Sequence, residues 1–181
     1  RVIHMRHRNK KMIRETFHTV SKIKQVLSKK KIEMKINYSF LKARFINRPN
    51  RFLTRVEYND TIIESHLPDP GRLKELLKPG VRILLKRESG VHRKTKFSTQ
   101  AVYKDNILIS LNTLLPNQFT DYLLRHKKID FLNEWKIYKK EVKYEQHRFD
   151  FQLKRSDEFM YLEVKSVTLV ENEIAKFPDA I

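Results

Sequence analysis

Asp150 lies in the stretch Arg148-Phe149-Asp150-Phe151-Gln152-Leu153, and Glu163 and Lys165 lie in Met160-Tyr161-Leu162-Glu163-Val164-Lys165. Both stretches alternate apolar and polar residues, the period of a strand with one buried face. The polar tip at 154–158 joins them as a hairpin. Setting Phe149 against Val164, Phe151 against Leu162 and Leu153 against Met160 buries all six apolar side chains together. A slip of one residue would set apolar groups against polar ones. This register places Asp150 opposite Glu163 on the other face, with Lys165 further along it and Arg148 opposite Lys165. Directly opposed carboxylates repel by a few tenths to ~1 kcal/mol, and a divalent cation between them relieves that cost. Oxygen donors in a chain without Cys suit Mg²⁺ or Mn²⁺. The nearby ammonium could activate a water and stabilise charge building on a phosphorus atom. Glu141, in the run Lys139-Lys140-Glu141-Val142-Lys143, is a candidate third metal ligand from the neighbouring strand. A second reading stays open, in which Arg148 and Lys165 neutralise Asp150 and Glu163 on a solvated strand face.

These residues need a scaffold, and the pattern before and after them supplies one. Alternation over 51–58 and 61–65, with Asn59-Asp60 between, predicts a hairpin. Pro68-Asp69-Pro70-Gly71 breaks the sheet, and 72–77 reads as a short helix, with Asp69 near its N-cap. Further strands are expected at 81–86, 96–103 and 107–111. Short strands in this number suggest a small antiparallel barrel over residues 37–112. From Pro116 the period changes. Residues 117–128 set Phe119, Tyr122, Leu123 and His126 on one helical face, and strands follow at 135–144, 148–154 and 159–167. A second domain is therefore expected over 113–181.

The barrel half carries its own candidates for binding. Arg48-Pro49-Asn50-Arg51 and Arg93-Lys94-Thr95-Lys96 are basic loops bordering strands, able to cradle a phosphate backbone. Phe45, Phe52, Tyr58, Phe97 and Tyr103 could stack on bases, although alternation puts most of them in the core. His66 and Arg72 flank a rigid loop rich in proline. With Arg148 these residues make up the candidate nucleic-acid surface.

The 181 residues include 39 Lys or Arg and 21 Asp or Glu, a net charge of +18. Such an excess points to a polyanion, namely DNA, double- or single-stranded, with RNA equally permitted by charge. Much of it lies in residues 1–36, a basic extension without Gly or Pro that is expected to be disordered or helical. This extension reads either as a nucleic-acid arm or as an appendage outside the domains. The absence of Cys excludes a disulfide framework and thiolate zinc sites. No apolar run approaches the ~18 residues of a membrane span, and no secretory signal opens the chain. A cytoplasmic protein without a membrane partner is expected.

Read in order, the motifs resemble those of the sugar fermentation stimulation protein (SfsA) family. They are Arg48-Pro49-Asn50-Arg51-Phe52, His66-Leu67-Pro68-Asp69-Pro70-Gly71-Arg72-Leu73, Arg93-Lys94-Thr95, Asn112-Thr113, Pro116-Asn117, Glu141-Val142-Lys143-Tyr144, Arg148-Phe149-Asp150-Phe151, Glu163-Val164-Lys165-Ser166-Val167-Thr168-Leu169-Val170 and Phe177-Pro178-Asp179-Ala180. The resemblance covers residues 34–181. It implies an α+β chain with an N-terminal OB-like antiparallel β-barrel followed by a PD-(D/E)XK nuclease-like α/β domain, incomplete here at its C-terminus. It also implies DNA binding tied to regulation of sugar metabolism. Asp150, Glu163 and Lys165 match the nuclease motif, so an active Mg²⁺- or Mn²⁺-dependent DNA phosphodiesterase is the alternative to binding without turnover. An RNA-binding module is the third reading. Asp69 stands where the family more often has Asn, and His147 where Ser is common.

Overall fold

The computed structural model describes residues 4–6, 32–167, 169–171 and 174–176, with side chains for 32–167. It divides into two compact units. One is Ile36–Thr113, and the other joins Arg1–Lys35 to Leu114–Ile181.

The first unit is a closed barrel. Its strands are β2 (Leu41–Asn50), β3 (Leu53–Tyr58), β4 (Thr61–His66), β5 (Arg82–Arg87), β6 (Phe97–Lys104) and β7 (Ile107–Ser110). They lie in the order β4-β3-β2-β5-β6-β7, and a parallel bridge from His66 on β4 to Ser98 on β6 closes β2–β6 on themselves. A parallel seam between the third and fifth strands of an otherwise antiparallel barrel is the OB arrangement. The turns follow from local chemistry. Asn59 and Asp60 both take left-handed backbone (φ 49° and 58°), as do Asp105 and Asn106 (48° and 64°). Two such residues form the primed turn whose twist matches paired strands. Register shifts along β2 between Phe45 and Asn50 bend that strand. At Gly80, φ is +84° while its N–H donates to the Phe45 carbonyl at 2.7 Å, a conformation that favours glycine. Ala43, Phe45, Val56, Ile83, Leu85 and Val102 fill the barrel, joined by Leu67, Leu73, Leu76 and Leu111.

Two expectations fail here. Residues 72–77 form turns rather than a helix. Leu73 adopts φ +51°, and the Leu76 and Leu77 N–H groups both return to its carbonyl at 3.0 and 2.9 Å. Leu73 and Leu76 are both buried in the barrel core, and that burial overrides the helical propensity of a short segment. The stretch Arg48-Pro49-Asn50 is the end of β2 rather than a loop, and only Arg51-Phe52 turns.

In the second unit β8 (Lys136–Tyr144), β9 (His147–Arg155) and β10 (Glu158–Glu163) form an antiparallel meander. The strand β1 (His4–Arg6) extends it to the order β1-β10-β9-β8. That strand falls in the extension expected to be disordered or helical, most of which lies outside the described residues. At the opposite border, β8 exposes Lys136, Lys139, Lys140 and Lys143. The expected hairpin register holds as far as the strands pair, with Leu153 opposite Met160 and Phe151 opposite Leu162, and the β9–β10 pairing ends there, short of Asp150–Glu163 and Phe149–Val164. The helix α1 (Leu115–Arg125) carries Pro116 in its first turn, where a missing N–H costs nothing. Its Leu123 and Leu124 pack with Ile129, Leu132, Trp135, Phe151, Leu153, Met160 and Leu162. Phe119 and Tyr122 pack against this core, whereas His126 is exposed. The short strands β11 (Leu169–Glu171) and β12 (Ile174–Lys176) pair with each other. The motif Phe177–Ala180 lies outside the described residues. No described helix is long and apolar enough to cross a membrane.

Candidate functional site

In the second unit the acidic face is built around Asp150 of β9. Asn117, in the first turn of α1, donates from Nδ2 to Asp150 Oδ1 at 2.7 Å, and the Val164 N–H donates to Oδ2 at 2.6 Å. The carboxylate is thus gripped on both oxygens, each of which keeps acceptor capacity. β10 ends at Glu163 instead of running on to Val167. Lys165 therefore lies beyond the strand, and strand alternation does not carry it to the Glu163 face as expected. It reaches Glu163 through a direct ion pair between Nζ and Oε1.

Glu141 is engaged elsewhere. Arg148 pairs with it, Nε at 3.0 Å and Nη2 at 2.8 Å from Oε2, and Glu141 adopts left-handed backbone (φ 53°). Among the described residues no three His, Cys, Asp or Glu side chains gather to hold a metal ion, so Glu141 does not complete a triad with Asp150 and Glu163. Arg148 keeps most of its side chain exposed beside this pair and lies in the second unit, apart from the barrel residues with which it was expected to act. Asp150 and Glu163 are both carboxylates, the donor type that hard oxygen-seeking cations take, and here they are engaged by Asn117, the Val164 N–H and Lys165. Asn117 was not among the expected site residues. Its grip on Asp150 comes from packing of α1 on the sheet, which spacing alone does not reveal.

The barrel holds the second cluster. Asn50, Arg51, Phe52, Leu53, Glu64, His66, Arg93, Lys94 and Thr95 line a groove of about 820 Å³. Three segments meet there: the turn from β2 to β3, the end of β4 and the loop before β6. Five of the expected nucleic-acid residues, Asn50, Arg51, His66, Arg93 and Lys94, are brought together in this groove. Arg72 and Lys96 are exposed but do not line it.

Arg48 is placed differently. Its guanidinium donates to the carbonyls of Arg51 (2.6 Å), Gly71 (2.5 Å), Arg72 (2.9 Å), Asp69 (3.2 Å) and Asn50 (3.3 Å). It fastens the 67–80 loop to the turn after β2. Burial lowers its pKa, with Asp69 acting in the opposite sense. Asp69, expected near a helix N-cap, caps the Gly71 N–H instead at 2.8 Å.

His66 is held below the ordinary histidine range, first by burial and then by the charge of Arg93, with Glu88 opposing. Glu88 pairs at 3.9 Å with Arg93, which lines the groove, but is not itself among the lining residues. Burial alone would raise its pKa, but hydrogen bonds from Ser98 (2.5 Å) and Lys86 (3.0 Å) and the charges of Lys86 and Arg93 bring it below the usual range. The chain of contacts continues from Ser98 to Gln100 and on to Tyr38 and Asn112. Of the five candidate stacking rings Phe45 is core, Tyr58, Phe97 and Tyr103 are half-buried, and Phe52 is exposed at 51%.

Known proteins share this architecture. Residues 46–111 match the SfsA N-terminal OB domain, and residues 114–181 match the sugar fermentation stimulation protein RE domain. A sugar fermentation stimulation protein homolog from Clostridium botulinum is 43% identical over 148 residues, covering 81% of this chain and 64% of that protein. A homolog from Clostridium kluyveri is 39% identical over 143 residues, covering 78% and 62%. The chain thus spans just under two thirds of the length of these relatives. A solved structure described as Pyrococcus furiosus SfsA in complex with Ca²⁺ superposes with a TM-score of 0.73 at 24% identity, covering 82% of this chain and 63% of that one. On the family matches and the identity to its relatives, the chain belongs to the sugar fermentation stimulation protein family.

Proposed function

We propose that the chain binds DNA through its barrel, in a regulatory role of the kind the family's name suggests. The observation that carries this reading is the groove, where Arg51, Arg93 and Lys94 converge beside an exposed aromatic ring. Cations that neutralise phosphates release counterions, so affinity falls with salt by a slope near −0.7 to −0.9 per phosphate contact. Fluorescence anisotropy with a labelled DNA oligomer should give a log–log salt slope of about −2 to −3 from these three groups. Arg93→Ala should weaken binding across sequences and reduce that slope by about 1. An affinity indifferent to salt between roughly 50 and 200 mM would sink the proposal.

A second reading is a Mg²⁺- or Mn²⁺-dependent DNA phosphodiesterase on a nuclease-like sheet. It is supported by the fixed Asp150 carboxylate and the Glu163–Lys165 pair on consecutive paired strands and the segment after them. Asp150 and Glu163 would hold the cation, which supplies charge to the phosphate oxygens when bound. Asn117 and the Val164 N–H keep Asp150 oriented, and Lys165 sits where it could hold a water or share its proton. Asp150→Asn and Lys165→Ala should each abolish metal-dependent DNA cleavage, and Asp150→Asn should also weaken Mn²⁺ binding seen by electron paramagnetic resonance. DNA binding should persist in both variants. Cleavage equal to wild type in either variant removes this reading.

A further inference from the structure

We infer that the barrel groove seats one unpaired base of a nucleic-acid strand on the Phe52 ring, with the neighbouring phosphates on Arg51, Arg93 and Lys94. The inference deepens the DNA-binding reading and rests on it. Phe52 leaves half its surface to solvent and contributes nothing to the barrel core. An exposed aromatic of this kind gains by stacking on a base face.

The turn that carries the ring is held on both sides. The Phe52 N–H donates to Asn50 Oδ1 at 2.9 Å, and its carbonyl accepts from the Leu67 N–H at 2.8 Å. The Arg51 carbonyl is held by Arg48. A turn fixed on both sides loses little conformational freedom when a ligand binds.

Glu64 separates a base from a backbone. It lines the same groove, with Arg55 at 3.3 Å from its Oε1. A carboxylate repels phosphate but accepts hydrogen bonds from the amino or ring N–H groups of a base. Asn50 has its carbonyl oxygen occupied by Phe52, so its amide N–H groups remain to donate to a base acceptor. Three cations for phosphate and a donor and acceptor for a base edge make one nucleotide's complement. The volume of about 820 Å³ lies within the roughly 300–1,000 Å³ of sites that enclose small ligands. In a duplex the base faces are stacked and the pairing edges are occupied, so the ring has nothing to accept.

The test is anisotropy of the wild-type chain and variants against a labelled DNA strand, the same strand annealed to its complement, and an RNA strand of the same sequence. The unpaired strands should bind more tightly than the duplex. Phe52→Ala should weaken strand binding by about 5- to 150-fold, leaving duplex binding and the thermal melt unchanged. Phe52→Trp should retain the affinity. Tighter binding of the DNA or of the RNA strand assigns the sugar, and both results support the stack. Strand binding that is salt-sensitive but unmoved by Phe52→Ala, or a duplex that binds better than the strand, overturns the inference while the binding reading survives. Absence of salt-sensitive binding to all three probes overturns both.

Discussion

Arg48 shows how far a charged residue's spacing is from its use. Its place in Arg48-Pro49-Asn50-Arg51 suggests a phosphate contact, yet its guanidinium is committed to five carbonyls, three of them in the loop after β4. A planar fork can satisfy several carbonyls at once, which a point-like ammonium cannot. Arg48→Ala should therefore destabilise the barrel by about 1–3 kcal/mol, read as a lower urea midpoint with unchanged slope, and Arg48→Lys should recover little of it. Wild-type stability in Arg48→Ala would show the latch to be idle. The Asp150, Glu163 and Lys165 pattern was legible as residue types on a hairpin. Its details were not, because the Asn117 contact depends on how a distant helix packs and the Lys165 contact forms after the strand has ended.

Among the elements, hairpins were the most legible. Their apolar faces leave one register that buries everything, and the Met160–Leu153 and Leu162–Phe151 pairs follow it. β2 is hidden in the sequence, although Ala43 and Phe45 are buried on alternate positions, because its last residues are basic and contain Pro49. The 72–77 segment reads as a helix in sequence because local propensity carries no information about the core waiting for Leu73 and Leu76. The β5–β6 pair also sets a pH dependence. Glu88 titrates below its unfolded value of 4.5, so its contribution to stability is complete above that value and drains as pH falls through the folded one. Glu88→Gln should flatten that acid limb and cost about 1–2 kcal/mol at neutral pH. An unchanged acid limb in urea titrations would show that Ser98, Lys86 and Arg93 do not hold the charge.

For the whole molecule, composition indicated a polyanion, and the spacing of strands and turns indicated a barrel. The closure by a parallel β4–β6 seam could not be read from either, since it joins strands with no local pattern in common. Charge is also distributed with an architectural effect. Among the described residues β8 borders the second sheet and exposes four lysines, one of them, Lys140, tied to Asp121 at 2.7 Å, and Glu141 breaks its extended backbone. An incoming chain that tried to continue the sheet there would bring its own strand against a fence of ammonium groups and an interrupted ladder. Strand addition at that rim is thereby disfavoured.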